Sequence, residues 1–61
     1  MLMAERLQKA VFGRTAERLS RSALDKLAGQ AQEGRRYDPS LVATWDRLDT
    51  RIRELRAAAS R

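Results

Sequence analysis

The sequence predicts an all-α fold: an antiparallel helical hairpin, preceded by a short N-terminal helical segment, that dimerises into a four-helix-bundle-like assembly. Three observations predict it. Leu41, Trp45, Leu48, Ile52, Leu55 and Ala59 alternate steps of four and three residues, an unbroken heptad stripe. Phe12, Ala16, Leu19, Ala23, Leu27 and Ala31 form a second stripe in which large and small residues mostly alternate. Between the stripes Glu33, Gly34, Arg35 and Arg36 make a short polar connection, and a linker of that length joins antiparallel neighbours.

Size and composition agree with one helical domain over residues 1–61. The chain has 61 residues with three Gly and one Pro, and Ala, Leu, Arg, Glu and Gln dominate it. A chain this short buries only about 60% of its unfolded surface, so its stability is marginal. With no cysteine and no histidine, disulfides, thiol chemistry and Cys/His zinc sites are excluded. The remaining supports are oligomerisation or tidy helix packing.

Taken in order, residues 1–13 carry Met3, Leu7 and Val11 at helical spacing, with Glu5 and Lys9 as an i,i+4 pair. Gly13 bends or breaks that helix. Thr15 then caps a helix over residues 15–32, on whose far side Glu17, Arg21 and Asp25 form a ladder of opposite charges. Gly34 is the expected C-cap in a loop spanning residues 33–38.

The last helix is expected over residues 39–59. Asp38 is its N-cap, Pro39 its first helical residue, and Tyr37 with Val42 a hydrophobic staple. Asp38 at the start, with Arg56 and Arg61 at the end, suits the helix dipole.

Folded back, the two stripes oppose Leu27 with Trp45, Ala23 with Leu48, Leu19 with Ile52 and Ala16 with Leu55. Each layer sets a smaller residue against a larger one, or two aliphatics together. The expected core and dimer seam is therefore Phe12, Leu19, Leu27, Leu41, Trp45, Leu48, Ile52 and Leu55. Two helices cannot cover such a seam from both sides, so a second copy is expected to complete it. A parallel coiled coil of the last helix alone is disfavoured, because it opposes Arg51 to Arg56. Leu24, Ala28, Tyr37 and Val42 form a second apolar group near the loop. Leu2, Met3, Leu7 and Val11 form a third, expected to contact a protein partner.

Residues 34–45 resemble the start of the last helix in HD-GYP-type phosphohydrolase domains, in the run Gly-Arg-Arg-Tyr-Asp-Pro-Ser-Leu-Val-Ala-Thr-Trp. The chain lacks the His-Asp metal motif of that family, so the likeness is one of helix capping and implies no activity.

Catalysis is not expected. Asp46 and Asp49 are a formal carboxylate pair, but Arg47, Arg51 and Arg53 surround them and surface ion pairing explains them better. No cofactor, metal or membrane span is expected: no apolar run approaches the roughly 20 residues that cross a bilayer. A cytoplasmic location follows as the default, since Met1-Leu2-Met3 leads straight into Ala4-Glu5-Arg6 with no signal-peptide core.

The net charge is +5, from 13 basic and 8 acidic residues, and nearly all the cations are arginine. Arginine suits phosphate and carboxylate because its planar fork donates two parallel hydrogen bonds. A G+C-rich coding preference also raises Arg and Ala together. Arg14, Arg18 and Arg21 recur on one expected helix face, Arg47 and Arg51 on another, and Arg35 and Arg36 mark the loop. Glu17, Asp25, Asp46, Asp49 and Glu54 interrupt these runs, and only Tyr37 is free to stack on a base.

The leading expectation is thus a small non-enzymatic regulatory or adaptor protein that dimerises and binds another protein through helical surfaces. The alternative is an RNA- or DNA-binding hairpin dimer gripping a nucleic-acid backbone with its arginines. In architecture alone that alternative resembles plasmid copy-number regulators of the Rop type.

Overall fold

A computed structural model describes residues 3–60, with the backbone alone of Met3. The expectations for Leu2, for the Met3 side chain and for Arg61 lie outside the described residues. The described residues contain three α-helices and no strand. Helix α1 spans Met3–Phe12, a 3-10 turn follows at Ala16–Arg18, α2 spans Arg21–Tyr37, and α3 spans Val42–Ala59. All three helices pack on one another around a single core.

The N-terminal segment is a separate helix, because the chain breaks at Gly13. A Cβ there would meet the Lys9 carbonyl oxygen at 2.5 Å, so only glycine lets the chain turn this tightly past the end of α1. The single helix expected over residues 15–32 is corrected. Thr15 precedes only the 3-10 turn and makes no side-chain cap, and Leu19 and Ser20 are extended. Ser20 is the working cap, its Oγ accepting from the Ala23 amide at 3.2 Å.

The ends of the hairpin loop are corrected too. Helix α2 continues through Gly34 to Tyr37, and Gly34 has no positive φ. Asp38 closes α2 instead of opening α3; its amide donates to the Gly34 carbonyl at 2.8 Å, and its carboxylate accepts from Ser40 Oγ at 2.7 Å. Leu41 stands at the N-cap of α3 with no side-chain cap. The expected staple does not form, since Tyr37 is 84% exposed and Val42 54%.

The cause of these shifts is a close approach between helices. The Trp45 ring lies on the bare Cα of Gly34, where an added Cβ would fall 2.7 Å from Cζ3 and 2.8 Å from Cζ2. Trp45 Nε1 donates to the Asp38 carbonyl at 2.8 Å, so the buried indole has a partner. Gly34, not Leu27, therefore faces Trp45, seven residues (34 − 27) along from the expected register.

The core is Ala4, Leu7, Val11, Ala16, Leu24, Ala31, Trp45, Leu48, Ile52 and Leu55. Of the expected seam, Trp45, Leu48, Ile52 and Leu55 are buried, and Leu19, Leu27 and Leu41 are half-buried against them. Phe12 is corrected: it is 48% exposed, while its neighbour Val11 turns inward. Leu7 and Val11 are likewise corrected, because they belong to the chain's own core and are not open to a partner. Helix α1 thus supplies the layer that was expected from a second copy.

Two outcomes test this packing in urea melts. Gly34→Ala should destabilise by about 1–3 kcal/mol, since the ring or the helix must shift. Gly29, helical and with nothing within 4 Å of an added Cβ, should instead gain about 0.5–1 kcal/mol as alanine. Equal effects at the two glycines would contradict the register. Leu48→Asp should unfold the chain, because Leu48 is 0% exposed and an unpaired buried charge outweighs a domain stability of roughly 5 kcal/mol. A helical, cooperatively melting Leu48→Asp protein would place the core elsewhere.

Candidate functional site

Because α2 runs past Gly34, its last turn lies beside the first turns of α3. That placement brings Arg35 against two carboxylates. One of its terminal nitrogens donates to Asp46 Oδ1 and to Asp49 Oδ2, each at 2.8 Å. Its hydrogen bonds to Asp46 and then Asp49 raise the Arg35 pKa above its ordinary value. At the other end of the same pair of helices, Arg56 meets Asp25 at 2.9 Å. The expected ladder Glu17–Arg21–Asp25 does not exist in that form, since Glu17 sits in the 3-10 turn and Asp25 pairs across to α3.

Two more arginines are engaged by α1. Arg51 Nε donates to the Val11 carbonyl at 3.0 Å, satisfying one of the carbonyls that a helix end leaves without an intrahelical partner. The Arg47 guanidinium lies 6.0 Å from the Phe12 ring centroid, the outer range of a cation–π contact. Of the arginines singled out for phosphate, then, Arg35, Arg47 and Arg51 have partners inside the fold. Arg14, Arg18, Arg21 and Arg36 are exposed and form no ion pair among the described residues.

Arg14, Arg18 and Arg21 were expected on one face of one helix. That is corrected: Arg14 follows the end of α1, Arg18 ends the 3-10 turn and Arg21 is the first residue of α2. They remain neighbours on a compact connection held by Ala16–Gly13, Arg18–Thr15 and Leu19–Ala16 backbone hydrogen bonds. The first turn of α2 contains no acidic residue to offset them.

Sequence reading passed over Lys26, which is exposed on α2 between Arg21 and Arg36. It stands five residues from Arg21, off the three- and four-residue spacing that marked the arginines, so that spacing could not find it.

A second feature lies along α3. Phe12, Arg47, Thr50, Arg51 and Glu54 line an open groove of about 310 Å³. It continues past Arg51 and Glu54 into a further depression of about 430 Å³ floored by Ala16, Leu19 and Leu55. The described residues contain no buried polar or charged side chain and no cluster of three or more metal-ligating side chains. No described helix is long and apolar enough to cross a membrane. No protein-family model, curated protein or solved structure matches the chain.

Proposed function

We propose that this chain is a small non-enzymatic binding protein whose basic surface holds a nucleic-acid backbone. One observation carries the reading. Asp25, Asp46 and Asp49, three of the acids that interrupt the basic runs in sequence, are occupied by Arg56 and Arg35. Arg14, Arg18 and Arg21 are meanwhile exposed and form no ion pair among the described residues. They outnumber Glu17, the one acid in their connection. Exposed arginines are what phosphate contacts need, and such contacts make affinity fall steeply with salt.

The test is an anisotropy titration with labelled mixed-sequence nucleic acid at about 50 and 200 mM salt. Binding should weaken at least tenfold between the two, as several phosphate contacts require. Reversing Arg14, Arg18 and Arg21 to Glu should abolish it with the melting curve kept. Absence of binding at the lower salt would end this reading.

A second reading is favoured by the α3 groove. An adaptor for another protein would use Phe12 as its anchor, because the half-exposed ring stands at the groove wall with charged residues around it. A two-fold assembly belongs to this reading. It would have to bury Phe12, Tyr37 and Val42, since α1 already covers the core stripes. Sedimentation decides: a mass of twice 7.0 kDa that Phe12→Asp returns to one chain would support pairing through this groove. A single-chain mass at high concentration would exclude it.

A further inference from the structure

We infer that the nucleic acid is a single strand, laid along the outward half of α2 with a base stacked on Tyr37. The inference rests on the nucleic-acid reading and specifies its ligand.

The outward half of α2 carries Arg21, Lys26 and Arg36, all exposed and without an ion pair among the described residues. Asp25 and Glu33 are the acids that share this half, and Asp25 is held by Arg56. Tyr37 ends the helix. The residue is 84% exposed and its side chain makes no hydrogen bond among the described residues, so it contributes little to the core. An isolated exposed aromatic is ordinary. This one directly follows an unpaired arginine at the end of a basic helix face. That is the pairing of a π-surface with a phosphate contact that single-strand binders use.

Gly29 strengthens the case. It lies exposed in mid-helix between Lys26 and Arg36, and no tertiary neighbour explains its missing side chain. A bare backbone there lets a strand approach closely midway between its charged contacts. From Arg21 to Tyr37 the helix rises about 24 Å, roughly seven stacked nucleotides, a site size within the range of single-strand binders. A duplex would satisfy the cations equally well, but it hides its base faces from Tyr37.

The experiment compares a labelled oligothymidylate of about 12 nucleotides with a duplex of the same length at about 50 mM salt. The single strand should bind more tightly. Tyr37→Ala should weaken it roughly 5- to 150-fold while leaving duplex affinity within about twofold, and Tyr37→Phe should restore it. The exposed position makes the variant's folding a minor concern, and helicity by circular dichroism checks it. Equal binding of both ligands with an inert Tyr37→Ala would overturn the single-strand inference and leave backbone binding standing. Failure of both ligands to bind would instead remove the nucleic-acid reading beneath it.

Discussion

The packing of Trp45 against Gly34 is the contact on which the rest of the structure depends. A buried tryptophan needs room for its ring and a partner for its N–H. The missing Cβ of Gly34 provides the room, and the Asp38 carbonyl accepts at 2.8 Å. Both conditions require α2 to continue past Gly34 as helix. The connection is then confined to residues 38–41, and the register of the two helices follows from it. Arg35 arrives opposite Asp46 and Asp49, and Asp25 arrives opposite Arg56, only because the indole has fixed where the helices meet.

Helix α1 solves the problem that a two-helix hairpin leaves open. Ala4, Leu7 and Val11 lie three and four residues apart, so one narrow face of α1 covers the side of the seam that α2 does not. Arg51 then ties the end of α1 to α3 through the Val11 carbonyl. The break at Gly13 makes this possible. A helix continued from α1 into residues 15–32 would carry Leu7 and Val11 away from the core instead of folding them back onto it. With Ala4, Leu7 and Val11 taken inward, Phe12 is the large apolar side chain of α1 left half-exposed among the described residues.

The helical class and the α3 core stripe were legible in the residues. Trp45, Leu48, Ile52 and Leu55 repeat too regularly for any other reading, and all four are buried. The register was not legible. Moving α2 by one heptad nearly preserves the face toward α3, with Leu24 joining the core, so apolar periodicity barely separates the two alignments. The deciding fact was steric: Gly34 reads locally as a helix stop, yet an aromatic ring from another helix made it a helix interior position. Asp38-Pro39 likewise reads as a helix start, but its local preference yielded to the tertiary position of Trp45. Of the candidate site, the exposed Arg14, Arg18, Arg21 and Arg36 were named from sequence. Their setting was not, because which arginines find carboxylates depends on the same register.

The division of labour among the arginines also bears on why there are so many. Coding preference explains a composition but not a geometry. Arg35 bridges two carboxylates, Arg51 caps a helix end and Arg56 links the two long helices, so these three are accounted for by the fold. The other described arginines stay at the surface, where net charge alone would be a poor guide to binding. Surface fields decay over about 10 Å in 0.1 M salt, whereas the molecule extends 34 Å, so a charge at one end is little felt at the other. Local density is what a ligand meets. Where the Arg14–Arg21 connection adjoins α2, Arg14, Arg18, Arg21 and Lys26 are exposed without an ion pair among the described residues, whereas Asp25, Asp46 and Asp49 are held by the arginines that the fold itself consumes.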